Sequence, residues 1–367
     1  MTDSSLPPLT ALNPKLFETT AIARATVAAS RRLAELKGVA DGIPNQGVLI
    51  NALALQEAKD SSAIENIVTT HDDLFRANAE RGVVAPSSAG EVQRYLKALL
   101  AGHALVKKSG MLLNRHVLEV QQHIEPNKPG FRKLPGTMLR DATGAVVYTP
   151  PQGATAIAAL MDDLEKFINE PARFDADSLV KMAIMHHQFE SIHPFYDGNG
   201  RTGRILNVLY LVQQGLLDTP VLYLSREIAR TKPEYYRLLQ AVHSHAAWEP
   251  WVLYMLGAVE RTAFGTVQTI RAIQRLMRDF RRRLRAAHKF YSQDLVTNLF
   301  RYPYTKIAFV AHDLGVSRLT ATKYLEALVA GGFLTKLRHG RSNYYVNTAL
   351  VQVLTAVEAD DTQKKVQ

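Results

Sequence analysis

Apolar residues recur at three- and four-residue spacing along most of the chain, a period that predicts helices. Ile22, Ala25, Ala29, Leu33 and Leu36 mark one face of a helix over Leu16–Leu36, behind a polar, proline-containing lead-in over 1–14. Gly38, Gly42, Pro44 and Gly47 break the pattern, and helical character resumes over Leu49–Ala58. Ser62 and Glu65 have the S-x-x-E spacing of a capping box, which predicts a helix start there. Helices are expected over Asp72–Ala79, Gly90–Lys107 and Asn114–Gln122, followed by a turn cluster at Pro126–Gly130. The pattern then changes. Val146, Val147 and Tyr148 follow an Asp141–Gly144 turn and stop at Pro150-Pro151, so Thr137–Tyr148 reads as a hairpin. That hairpin is either a connector or a flap whose open edge pairs with an extended peptide.

Ala154–Asn169 is amphipathic through Ile157, Leu160, Met161, Leu164, Phe167 and Ile168. Asp175 or Asp177 caps the next helix, which carries Leu179, Met182, His186, Phe189 and Ile192 and delivers His193 at its end. An apolar helical run follows over Ile205–Val212. Ser225 caps a helix through Ile228, Pro233 opens another to Val242, and a long helical run follows Trp248–Trp251. Arg271–Lys289 then interleaves arginines with an apolar face of Ile270, Ile273, Leu276, Met277, Phe280 and Leu284. It is a solvated connecting helix or a nucleic-acid contact. Thr305–Ala311 is expected to be helical, and Ser317 caps a helix over Arg318–Ala330 that Gly331-Gly332 stops. Two strands follow around Gly340, which is winged-helix order. The expected fold is mostly α, with a β-hairpin flap and a small C-terminal winged-helix (α+β) domain. Boundaries are expected near 110, 260, 297 and 350, separating an N-terminal helical region, a core, a basic connector, the winged-helix-like part and a tail whose end, Asp360–Gln367, frays.

Composition narrows the partners. The chain has 367 residues, 47% of them hydrophobic, which suits a globular protein. It has no cysteine, so disulfides and thiolate metal sites are excluded and a reducing cytosol is the expected setting. The first residues lack the pattern of a signal peptide, and no run of about 18 apolar residues suggests a membrane span. Net charge is +10, but Arg271–Arg341 alone holds 15 Lys and Arg against 4 Asp and Glu, or +11. A basic end on a nearly neutral body favours an anionic partner such as nucleic acid.

The chemistry concentrates in His193–Arg204, His-Pro-Phe-Tyr-Asp-Gly-Asn-Gly-Arg-Thr-Gly-Arg. Transfer of a phosphorus group to a hydroxyl needs a base, and His193 fits. It needs a hard oxygen ligand for Mg²⁺, and Asp197 fits. It needs preorganised N–H donors, which Gly198, Asn199 and Gly200 offer at a helix start. Arg201 and Arg204, three apart, can neutralise the phosphates. Other readings stay open residue by residue: a packed histidine, a helix stop at Pro194-Phe195, a β-turn at Asp197–Gly200. An EF-hand and a P-loop fail, because neither the ligand series nor Gly-Lys-Ser/Thr follows.

The same stretch resembles the signature of the Fic (filamentation induced by cAMP) family, H-x-F-x-[D/E]-G-N-G-R-x-x-R, at every fixed position. His187-Gln-Phe-Glu-Ser-Ile and Tyr148-Thr-Pro-Pro151 add to the likeness, which runs over roughly residues 50–255. The resemblance implies an AMP transferase that moves AMP from ATP to a Ser, Thr or Tyr hydroxyl of a protein. His193 then resembles the base, Phe195 the anchor of the loop and Asp197 the Mg²⁺ ligand. Gly198, Asn199, Gly200, Arg201, Thr202 and Gly203 resemble the phosphate cradle, Arg204 the γ-phosphate contact and Tyr235 the nucleoside pocket. Where some members carry Asn, this chain has His243. Ser61–Asn66 matches the family's inhibitory motif, [S/T]-x-x-x-E-[G/N], which implies that Glu65 pairs with Arg204 and holds the enzyme off. It also implies a target protein docking on the flap. Removal of AMP at the same site, UMP or phosphocholine donors, self-modification and a homodimer all remain open, as does a DNA-binding regulator with a Fic sensor core.

Overall fold

The computed structural model describes residues 6–43, 46–79, 87–128, 130–141, 143–339 and 342–363. Pro44, Gly340, Arg341 and the end of the tail after Gln363 lie outside the described residues. The chain divides into two compact units. The first comprises Met1–Lys37, Asp60–Ile67 and Arg94–Phe264; the second comprises Gly38–Lys59, Val68–Gln93 and Gly265–Gln367.

Besides α1 (Thr20–Asp41), three helices are shared between the units by sequence: α2 (Gln46–Ile64), α4 (Ser87–Ser109) and α11 (Trp248–Ala287). The first unit also contains α1 up to Lys37, α5 (Asn114–Ile124), α6 (Ala154–Asn169), α7 (Ser178–Ile192), α8 (Asn199–Gln213), α9 (Leu224–Arg230) and α10 (Lys232–His245). Helices α7 and α8 are buried almost all round, which is the pattern of a central helix. They pack closely because of Gly203. A Cβ there would stand 2.5 Å from Glu190 Oε1 and 3.0 Å from Phe189. Asp177 caps α7 by accepting the Leu179 N–H at 2.8 Å. The hairpin forms as two short antiparallel strands, β1 (Leu139–Arg140) and β2 (Val146–Tyr148), with Leu139 opposite Tyr148.

In the second unit, α3 (His71–Ala79) packs on β3 (Tyr304–Thr305), where Phe75 stacks on Tyr304 at 5.7 Å and the Tyr304 hydroxyl donates to Asp72. After α12 (Gln293–Arg301), α13 (Ile307–Leu314) and α14 (Arg318–Ala330) make a helix–turn–helix. Then β4 (Thr335–His339) and β5 (Ser342–Val346) pair antiparallel, and the sheet order is β3-β5-β4. The winged-helix order is therefore present.

Several local expectations are corrected. Ser62 and Glu65 do not start a helix: α2 runs unbroken to Ile64, so this segment ends one. Ser61 and Ser62 are fully buried, and Asn66 turns the chain at φ 64°. Thr305 is strand rather than helix, opposite Tyr345 in the antiparallel pairing of β3 with β5. Ser225 lies inside α9 instead of capping it. Gly38 is helical, the long run after Trp248 and the arginine-rich segment fuse into one 40-residue helix, and α15 (Thr348–Gln363) carries helix through part of the expected frayed end.

Candidate active site

The central loop is a turn between two buried helices. His193 ends α7 in the left-handed region, φ 48°, a cost that a non-glycine residue bears only where its surroundings enforce it. Arg132 enforces it. This buried side chain donates through Nε to the His193 carbonyl at 2.8 Å and through Nη2 to the carbonyls of Ile192, at 3.3 Å, and Pro151. Phe195, wholly buried, sits 5.4 Å from the Phe131 ring and anchors the turn. Asn199 closes it: its amide accepts the Phe195 N–H and donates to the Phe195 carbonyl, both at 2.8 Å. Asn199 thus reaches any ligand through its backbone, its side chain being used within the loop.

Gly198 begins α8 at φ 80°, with Ile124 and Glu125 each 3.2 Å from where a Cβ would stand. The first backbone bond of that turn runs from Thr202 N–H to Gly198 O. The N–H groups of Asn199 and Gly200 therefore lie ahead of the helix's own bonding, at its positive end. Thr202 is fully buried, its hydroxyl without a hydrogen-bond partner. Asp197 stays half-exposed at the rim, accepting the Gly198 N–H at 2.7 Å with Lys128 Nζ 3.4 Å away. Among the described residues no cluster of three His, Asp or Glu side chains gathers around it. One open carboxylate beside an anion cradle fits a Mg²⁺ that arrives on phosphates, since that ion keeps several waters and needs few protein ligands.

The two arginines separate. Arg201 Nη2 pairs with Glu125 at 2.7 Å. Arg204, 2% exposed, turns to the end of α2. Its Nε donates to Ser61 Oγ at 2.9 Å, and its Nη2 to Ser61 O at 3.0 Å and to Glu65 Oε1 at 2.9 Å. Burial pushes the Glu65 carboxyl up, but the charge and hydrogen bond of Arg204, with Arg201 and Lys232 beyond, hold it below the ordinary range. Lys232 finishes the segment by donating to the orphan Ile64 carbonyl at 2.6 Å, with Asn66 Oδ1 3.4 Å away. A Cβ on Gly200 would collide with Glu65, so glycine at that position is what admits the contact.

These groups line one cavity of about 850 Å³, into which His193, Gly200, Glu65, Arg204, Tyr235 and His243 all face. Burial, aided by the Arg132 charge, pushes the His193 imidazole down to about 4, so it is a neutral acceptor at physiological pH. Burial likewise pushes Glu190 up to about 7 against the pull of Arg204. Tyr235 is buried with its hydroxyl 2.9 Å from His186 Nε2, whereas Tyr236, which the sequence reading passed over, presents a half-exposed ring. His243 is engaged on edge and face. Its Nε2 lies 2.7 Å from Ser191 Oγ, and Tyr148 of the hairpin stacks on it at 3.9 Å and 7°.

Arg132, Glu125 and Lys232 carried no sequence signal. Each is a single charged residue far along the chain from its partner, and only the fold reveals the pairing.

A buried two-helix core that presents a histidine, the glycine of a helix start and Arg204 to one cavity is an arrangement suited to a phosphate-bearing ligand. Three family models match: "Fic/DOC family N-terminal" over residues 23–104, "Fic/DOC family" over 112–211 and "Protein adenylyltransferase SoFic-like, C-terminal domain" over 276–350. Together they take in well over half of the residues, and the chain belongs to the Fic/DOC family. It is 28% identical over 162 residues to Protein adenylyltransferase Fic of Aedes aegypti, an alignment that covers 43% of this chain and 30% of that protein. It is 33% identical over 183 residues to Protein adenylyltransferase fic-1 of Caenorhabditis briggsae, covering 49% of this chain and 35% of that one. The matched region is thus about a third of these relatives' own length. Among solved structures, a Fic family protein from Desulfovibrio desulfuricans G20 superposes with a TM-score of 0.56 at 21% identity, covering 89% of this chain and 96% of that one. A Fic domain-containing signaling protein from Bacteroides thetaiotaomicron VPI-5482 gives 0.53 at 18%, covering 66% and 97%. These structural likenesses concern the fold. Among the described residues no helix is long and apolar enough to cross a membrane.

Proposed function

We propose that the protein is an autoinhibited adenylyltransferase that transfers AMP from ATP to a hydroxyl of a protein, its own included. The observation that carries this reading is the arginine of the anion cradle, Arg204, held by Glu65 across 139 residues of chain. The site holds both the machinery and a built-in carboxylate competitor for its ligand.

In the reaction, His193 takes the proton of the target hydroxyl. That oxygen attacks the α-phosphorus, the bond to the β-phosphate oxygen breaks, and pyrophosphate leaves. The N–H groups of Asn199 and Gly200 meet the charge on the phosphates, and Arg201 neutralises it further. Arg204 receives the γ-phosphate once Glu65 has withdrawn. Asp197 would hold Mg²⁺, which when bound supplies positive charge on the polyphosphate. The hairpin suits an extended target. Its exposed Met138, Val146 and Val147 offer apolar contacts along an open strand edge.

ATP labelled at the α-phosphate tests the reaction: the label should enter protein. Label arriving instead from the γ-phosphate sinks the reading in favour of phosphoryl transfer.

The Tyr148–His243 stack pins the hairpin to α10. An aromatic pair is worth about 0.5–1.5 kcal/mol, so His243→Ala should raise the KM for the target roughly three- to tenfold with little change in kcat. His243→Phe, which keeps the stack, should restore it. Steady-state kinetics on any accepted target protein reads the split, and an equal fall of kcat in both variants counts against the pinning role.

A further inference from the structure

The second unit carries a feature that the transferase does not use. Helix α14 buries Ala321, Leu325 and Leu328 against the rest of the winged helix. Its other side presents Arg318, Leu319 and Lys323 to solvent, with Leu319 68% exposed. Ser317 caps it, accepting the Thr320 N–H at 3.1 Å. Its one acid, Glu326, is already taken by Lys336 Nζ at 2.5 Å and the Tyr345 hydroxyl at 2.7 Å. The wing strand β4 is exposed along its whole length and adds Arg338.

A second basic feature adjoins it. The last turns of α11 and the start of α12 border a groove of about 620 Å³ lined by Arg281, Arg282, Arg285, Ala286, Tyr291 and Gln293. Arg285 lies over the Tyr291 ring at 5.0 Å, and Arg281 Nε is buried without a hydrogen-bond partner. The nearby acid, Asp279, is shared by Arg282 and Arg283. The groove and α14 are mechanically joined, because Phe290, one residue before Tyr291, stacks on Tyr324 of α14 at 4.2 Å and 10°.

We propose that this unit binds duplex DNA, independently of the transferase reading. The groove arginines and Arg338 grip backbone phosphates while α14 presents Arg318, Leu319 and Lys323 to the major groove. Clustered cations with few free acids suit phosphates, and a capped helix with an exposed face is of a size to enter that groove. Arginine forks suit phosphate oxygens better than lysine does. An apolar side chain as exposed as Leu319 gains a partner in a thymine methyl.

The test is fluorescence anisotropy of the full-length protein with a labelled mixed-sequence duplex of about three helical turns, about 30 bp. If about five phosphates are neutralised, affinity should fall roughly 10²–10³-fold between ~50 and ~200 mM salt. Changing Arg281, Arg282 and Arg285 together to Ala should weaken binding and lower the salt slope by about three. Arg318→Ala with Lys323→Ala should weaken it separately. Unchanged circular dichroism in each variant shows that folding is not what was lost. Absent binding at ~50 mM salt, variants that bind as well as the parent, or tighter binding of single-stranded RNA or of an acidic protein overturns the proposal.

Discussion

Glu65→Gly should raise incorporation of AMP into protein roughly ten- to hundredfold. Arg204 makes three hydrogen bonds to the end of α2, and the one to Glu65 is the only one that carries a full opposite charge. A charged hydrogen bond is worth about 1–3 kcal/mol, and ~1.4 kcal/mol is a factor of ten. As a blocker within the same chain, Glu65 would act at high effective concentration and compete well with a weakly held γ-phosphate. Glycine removes the carboxylate without adding bulk near Gly200. Glu65→Gln keeps an acceptor but no charge and should fall between parent and glycine variant. Ser61→Ala should release less, since the backbone carbonyl of Ser61 still holds Nη2. The readout is intact mass after incubation with ATP and Mg²⁺, alone and in lysate. Equal mass shifts in parent and glycine variant sink the inhibitory role. AMP released from a pre-modified protein by the parent but not by Glu65→Gly assigns Glu65 instead to removal of AMP.

The helical core was legible because its apolar residues keep a 3.6 period over whole helices. The bounds of α6 follow directly from Ile157, Leu160, Leu164 and Ile168. Ser62 and Glu65 misled for a physical reason. S-x-x-E describes a local exchange of hydrogen bonds at a helix start, but Glu65 is taken by Arg204, far along the chain, and Ser62 Oγ is buried without a hydrogen-bond partner. A local pattern cannot register that competition. β3 was missed because two residues show no period; its pairing with β5 makes it a strand. The loop from His193 to Arg204 was readable as a set of residue types. Its stiffness was not, because it comes from Arg132 on the turn's carbonyls and from Asn199 folding back on Phe195. The same holds for Arg201 and Arg204, which look equivalent three apart in sequence. Glu125, at the end of α5, and Glu65, just past α2, separate them into an arginine paired beside the helix start and an arginine held by the end of α2.

His193→Ala, made in the Glu65→Gly background so that loss is measurable, should lower the rate of AMP transfer roughly 10²–10⁴-fold, the usual worth of a positioned general base. Binding of ATP should survive, since the cradle and both arginines are untouched, and calorimetry of nucleotide binding separates this from unfolding. The pH profile carries the sharper test. With an imidazole pushed down to about 4 by burial, His193 in the free enzyme loses its proton well below the ordinary 6.5. The proton acceptor is therefore present above about pH 4 and is lost as pH falls through that value. The acid limb of kcat/KM, which reports the free enzyme, should lie near 4 rather than near 6.5. A bound triphosphate brings negative charge to the cavity and favours the imidazolium, so the limb of kcat, which reports the complex, should lie higher. A kcat/KM limb near 6.5 that persists in the His193→Ala variant assigns the proton transfer to another group. Glu190, pushed up to about 7 in the same cavity, is then the first to substitute with Gln.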